Sequence, residues 1–367
     1  KKKWSSLQSL LDNDLEDFIR YYLNQDTKIG SFIKQKELYE KIVDYIEKSD
    51  IITENSNSED IRKYYLSLFD KSKKLVEELD KNKSFYYSII EPGKQTNLSD
   101  VTKANLKIVK SYGIVRSLVL KILIQFRSDP KTLEKLIIIT TNAAILYVSV
   151  YNLKKLESIE RKIYDHFTKK IKITDFYESY GQHLKDVIHL TNSEFNLDSD
   201  VMKKNISSCS NDAVNYNILI KLNDYLNHKR SSDFYHTLVF ANKTNGLTRD
   251  HILPTNYDAE YRMKIVDYFV QKGLPVPKSK HIREAYLNSI GNIMPLKIDP
   301  NRSKTNRNDP LVFYREEMTV KGELVQDLLK YTTDEWLLDD IQKRSERLAE
   351  LIVEKKVLSL DFNEVLY

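Results

Sequence analysis

The chain has 367 residues, 58 of them basic against 53 acidic, for a net charge of +5. That balance creates no general basic field, so any surface that meets a polyanion has to be local; the length leaves room for two domains with sizeable cores. A single cysteine, Cys209, excludes an internal disulfide and any cysteine-based zinc site and fits a reducing cytoplasm. No apolar run reaches membrane-spanning length. The stretch from Leu136 to Val150 is interrupted by Thr140, Thr141 and Asn142 and reads as a buried helix. No signal peptide is visible, so a cytoplasmic protein without a membrane partner is expected.

Eight Gly and eight Pro, with few alternating runs, point to a mainly α chain. Residues 1–225 are expected to form a helical domain. Leu7, Leu10, Leu11, Leu15, Phe18, Ile19, Tyr22 and Leu23 recur at helical spacing, as do Leu38, Ile42, Tyr45 and Ile46. Asn55 to Asp60 is a polar break. Ile61 to Leu79 and Phe85 to Ile90 follow, closed by Pro92-Gly93. Ser99 is placed to cap the next helix, Tyr112-Gly113 interrupts it, and Asp129-Pro130 starts another. Leu133 to Tyr151, Leu156 to Phe167 and Ile173 to Ile188 continue the pattern, and Lys169 to Lys172 reads as a solvated face.

The tyrosines along these helices read as core edge rather than a base-stacking platform, and His183 and His189 as ordinary helix residues. Residues 226–367 form the second expected domain, with a core over residues 235–310. Asn245-Gly246 is a strong hairpin dipeptide, followed by Leu247 to His251 as a short extended piece that Pro254 ends. An insertion comes next. Asp258 is expected to cap a helix ended by Gly273, and Ser279 a second helix through Leu287. Gly291-Asn292 is expected to open a second strand, and Asp299-Pro300 to start a helix with Asn301 and Arg302 in its first turn. Helices are then expected over Leu311 to Met318, Gly322 to Tyr331 and Thr333 to Leu358. The last would clamp the second domain onto the first.

The residues of this strand, strand, helix unit suit in-line cleavage of a phosphodiester. That reaction needs a base for water, a cation for the departing oxyanion and a grip on the phosphate. His251 suits the base because imidazole titrates near neutral pH. Asp250 and Asn301 offer the hard oxygens that Mg²⁺ prefers. Arg302, Lys304 and Arg307 follow as phosphate contacts, and a helix start aims free N–H groups at an anion. Arg249, and Lys278 and Lys280 of the insertion, are further candidate DNA-binding cations. In a strict strand Asp250 and His251 would face opposite ways, so both serve one site only where the strand ends. Each residue alone also has an ordinary reading, as a surface pair, a helix cap or a turn.

Together, Asp250-His251-Ile252-Leu253-Pro254, Ile290-Gly291-Asn292-Ile293 and Asn301-Arg302-Ser303-Lys304-Thr305-Asn306 resemble the HNH (ββα-metal) nucleases. The match is closer to the C-terminal half of GmrSD-type, modification-dependent restriction endonucleases and related phage-defence proteins. The basic segment is also similar to the HNH domain of RNA-guided nucleases. Trp336, Ile341 and Arg344 extend the resemblance weakly.

The resemblance implies His251 as general base, Asp250 and Asn301 as ligands of Mg²⁺ or Mn²⁺, and Asn292 as the residue that pins the loop orienting His251. It implies DNA, modified or not, as the partner, in a restriction or antiviral role. It also implies a nucleotide-sensing N-terminal half, which this chain, opening Lys1-Lys2-Lys3-Trp4 and lacking a glycine-rich phosphate loop, does not supply. The rival expectation is a catalytically degenerate module that binds DNA or assembles with partners.

Overall fold

The computed structural model describes residues 2–25, 33–47, 58–151, 180–191, 198–226, 247–255, 259–297, 311, 314, 323–330 and 336–365. Among these residues the chain is mainly helical, with a single two-stranded antiparallel sheet. It divides into two compact units, Lys1–Thr140 with Lys155–His183, and Thr141–Lys154 with Leu184–Tyr367.

The first unit contains α1 (Lys2–Leu11), α2 (Leu15–Leu23), α3 (Leu38–Glu47), α4 (Ser58–Ile90), α5 (Asp100–Val109), α6 (Gly113–Gln125) and the start of α7 (Pro130–Tyr151). The stretches 61–79 and 85–90 join into one helix, α4, which stops just before Pro92, as a helix must two residues ahead of a ring that lacks an N–H. The Ser99 hydroxyl accepts the Thr102 N–H at 3.0 Å and caps α5. Pro130 opens α7, with the Asp129 carboxylate accepting from the Thr132 N–H at 3.2 Å. Phe18 of α2 stacks on Tyr86 of α4 with centroids 5.2 Å apart. Thr140, Thr141 and Asn142 are buried in α7, and no helix among the described residues is long and apolar enough to cross a membrane.

Helix α8 (Tyr180–Thr191), which belongs to the second unit from Leu184 onward, is followed in that unit by α9 (Ser199–Ser207) and α10 (Asp212–Leu226). Strand β1 (Leu247–His251) is followed by α11 (Ala259–Gln271), then α12 (Ser279–Ile282) running into a π-helical turn, Arg283–Leu287. A 3₁₀ turn, Ile290–Asn292, delivers the chain to β2 (Ile293–Lys297). Helices α13 (Glu323–Leu328) and α14 (Leu338–Glu354) complete the described elements. The expected helix over 156–167 and the first part, 173–179, of the one over 173–188 fall outside the described residues, as do Asp258, Asn245-Gly246 and the basic segment 299–307; 180–188 are helical as expected. Of the expected helix over 311–318 only Leu311 and Tyr314 are described, both helical and buried.

Several local expectations change in the structure. Gly291-Asn292 does not open a strand. It sits in the 3₁₀ turn before β2, where the backbone N–H of Asn292 turns back onto Ser289 O at 3.1 Å. Lys278, not Ser279, is the N-terminal flanking residue of α12, and the helix beyond it widens to a π turn, with Asn288 N–H bonding Arg283 O at 2.9 Å. Trp336, expected inside the helix from Thr333, precedes α14. Gly273 does end its helix: at φ +66° it donates to Val270 O at 3.0 Å while Leu274 donates to Phe269 O at 2.9 Å, the paired bonds of a Schellman cap.

Helix α14 organises the core of this unit. Leu338, Ile341, Ser345, Leu348, Ala349 and Ile352 repeat at helical spacing and are buried, on a side that packs against α9 and the 290–292 turn. At its start the Asp340 carboxylate reaches back to the Leu337 N–H at 3.1 Å. Gly291 lies flat on the helix. A Cβ there would stand 2.0 Å from Ile341 O and 2.9 Å from Ser345 N, both backbone atoms. Glycine is therefore required for close approach and not for an unusual φ. Gly291→Ala is expected to lower unfolding stability by about 3 kcal/mol or more, the upper range for overpacking, with an earlier urea midpoint; an unchanged midpoint would show that the turn can lift off the helix.

Candidate active site

The sheet sets the geometry of the site. Strands β1 and β2 pair with Arg249 opposite Pro295, Asp250 opposite Met294 and His251 opposite Ile293. Alternation along β1 then puts Arg249 and His251 on one face and Asp250 on the other. The partners agree with that division. The Arg249 Nε lies 3.2 Å from Asp212 Oδ2 of α10, and the Asp212 charge also acts on the His251 imidazole. Asp250, buried on the other face, accepts a hydrogen bond from the Tyr314 hydroxyl at Oδ2. Burial first, then the Asp250 charge, pushes the Tyr314 phenol well above its ordinary range, so it is a donor at every working pH.

Strand β1 ends at His251, and Asn292 holds the residues just beyond it. Its side chain is fully buried with every bonding position used. The Oδ1 accepts the Leu253 N–H at 2.8 Å and the Trp336 indole N–H at 3.4 Å, while Nδ2 donates to Leu253 O and Leu287 O, each at 3.0 Å. Its carbonyl accepts the Ile252 N–H at 2.8 Å. The turn carrying Asn292 is held in turn by α14. Arg344, buried in that helix, donates through Nη1 to Gly291 O at 2.6 Å and Ile293 O at 3.2 Å, and the Ser345 hydroxyl accepts the Gly291 N–H at 3.0 Å.

Burial holds the His251 imidazole below its ordinary range, opposed by the carboxylates of Asp212 and Asp250 and by a hydrogen bond with the Asn288 side chain, and reinforced by Arg249. The ring is therefore neutral at pH 7, the state in which it can accept a proton. Asn288 is itself anchored from α10: Asn215 Nδ2 donates to its carbonyl at 2.8 Å and to Cys209 O at 2.7 Å.

Among the candidate DNA-binding cations, Arg249 is engaged by Asp212. Lys278 is exposed at the start of α12, and Lys280, also exposed, lies 3.7 Å from Glu284. Asn301, Arg302, Lys304 and Arg307 lie outside the described residues. Among the described residues, no group of three or more His, Cys, Asp or Glu could hold a metal ion. Asp212, Asn288 and Tyr314 escape the sequence reading because their roles depend on contacts with elements far along the chain. Asp212 looks only like a carboxylate at a helix start, its usual place on electrostatic grounds.

Comparison with known proteins gives one match. Residues 191–351 fit the family described as GmrSD restriction endonucleases, C-terminal domain. No curated protein and no solved structure matches the chain. The match takes in α9, α10, both strands and most of α14, so it contains every described residue of the site. Over residues 191–351 the chain is thus similar to the C-terminal domain of GmrSD restriction endonucleases.

Proposed function

We propose that this domain is a metal-dependent HNH endonuclease that hydrolyses DNA phosphodiesters, the cutting part of a modification-dependent restriction or phage-defence protein. The observation that carries the reading is the end of β1: a neutral, half-buried His251 at its last position, next along the strand to the buried Asp250 on the other face, with the chain beyond it locked by Asn292 inside the family-matched region. His251 takes the proton from the attacking water. Asn292 keeps the strand end from moving, which protects the alignment that in-line attack requires. Tyr314 fixes the plane of the Asp250 carboxylate.

Asp250 and Asn301 would hold the cation, and hard oxygen donors with a single carboxylate suit a hydrated Mg²⁺ or Mn²⁺ better than tetrahedral zinc. When bound, the ion stabilises charge on the leaving 3′-oxygen. Arg302, Lys304 and Arg307 would grip the phosphate at the cut. Lys278 and Lys280 would meet the duplex further out, from a stretch, 270–283, with no acidic residue. We take the catalytic groups to lie within residues 226–367, served by the helices of residues 1–225, of which α10 packs on β2 and belongs with the catalytic part.

Plasmid incubated with Mg²⁺ or Mn²⁺ should be nicked or cut, and chelator should stop it. His251→Ala should lower the rate by about 10²–10⁴ with folding and DNA binding retained. Cleavage by this variant at the wild-type rate would remove His251 as base, and chelator-insensitive binding without cleavage would favour a binding module. Asn292→Ala leaves the buried Leu253 and Leu287 groups without their partner, so it should cost about 2–4 kcal/mol of unfolding stability and slow cleavage as well. Full stability in a denaturant titration would contradict the locking role.

A further inference from the structure

We propose that the first turns of α10 belong to the nuclease site, with Asp212 and Asn215 as positioning residues that hold His251 in its working orientation. The inference rests on the nuclease reading and extends it to a helix that precedes the Asp-His strand in sequence. Asp212 and Asn215 stand three positions apart and so share one face of α10. Each reaches one neighbour of the imidazole. Asp212 pairs with Arg249 at 3.2 Å, and Arg249 is two positions from His251 on the same face of β1. Asn215, fully buried, donates to the carbonyl of Asn288, the residue whose side chain bonds the imidazole. The ring therefore feels an ion pair and is bonded by a backbone-anchored carboxamide, both fixed by the same helix.

This arrangement gives Arg249 a different role from a plain phosphate contact. Its guanidinium is held by Asp212 and helps to place that carboxylate next to the imidazole. Supporting the base through Asp212, Arg249, Asn215 and Asn288 restricts the ring to a narrow set of orientations, and misplacement by about 1 Å can cost on the order of 10²-fold in rate.

The test is Asp212→Asn, which keeps shape and removes charge, beside Asp212→Glu. Steady-state cleavage of a duplex oligonucleotide with Mg²⁺, duplex binding in chelator, and long-range ¹H–¹⁵N spectra of the His251 ring are read together. The ring signals are assigned by their loss in His251→Ala. Asp212→Asn should lower kcat by about 10-fold or more without raising KM or weakening binding in chelator. It should move the ring nitrogen resonances, and Asp212→Glu should recover most of the rate.

Wild-type kcat with unmoved resonances would overturn the proposal, as would a KM effect alone, which would make Asp212 only a substrate contact. If Asp212→Asn does not fold, Asn215→Ser, which removes the bond to Asn288, carries the same expectations. If the wild-type protein cuts nothing, the nuclease reading fails, and the ring spectra still decide whether Asp212 orients His251.

Discussion

Four hydrogen bonds from one buried carboxamide fix the site to the rest of the unit. Asn292 binds both backbone groups of Leu253, one carbonyl of the π-helical turn and the indole of Trp336. Its side chain thus ties together the end of β1, the approach to β2 and the segment that leads into α14. Asparagine suits this position because it presents two donors and an acceptor oxygen in one plane. Asp would lose the donors, and Leu would leave Leu253 N–H buried without a bond. The glycine beside it serves the same end, letting the turn lie against α14 so that Arg344 and Ser345 can reach its carbonyl and amide.

Much of the frame is legible in the residues because it depends on local rules. Helical spacing marks α2, α3 and α14; Ser99 and Gly273 mark helix ends; and Pro130 marks a start. The Asp250-His251 pair on a short strand and the Gly291-Asn292 pair near the second are visible from residue types alone. The rest depends on distance along the chain. Nothing near Asp212 announces that it meets Arg249, and nothing near Tyr314 announces that its hydroxyl meets Asp250. The 3₁₀ turn at Ile290–Asn292 is also hidden, since an apolar-Gly-polar-apolar run fits a strand equally well until the buried amide bonds decide. The expected boundary at residue 225 cuts between α10 and the strands it packs on, because a switch from helix to strand pattern marks a change of element and not a change of core.

Around His251 the electrostatic balance is set by packing more than by charge. Two carboxylates stand near the imidazole and favour its protonated form, yet burial outweighs them. The exposed insertion contrasts with this. Lys278 and Lys280 lie in solvent, and the equally exposed Lys272 bonds the Asp339 carboxylate at 2.7 Å beside Tyr268. The unit thus combines a desolvated centre with a cationic edge.

The guanidinium of Arg344 has a consequence for the order in which the protein is made. The carbonyls it gathers belong to residues synthesised some fifty positions earlier. While the chain is still emerging from the ribosome, the turn at Gly291 has neither that cation nor the helix surface it rests on. The turn that anchors the end of β1 is thereby kept unfinished until translation has run past α14.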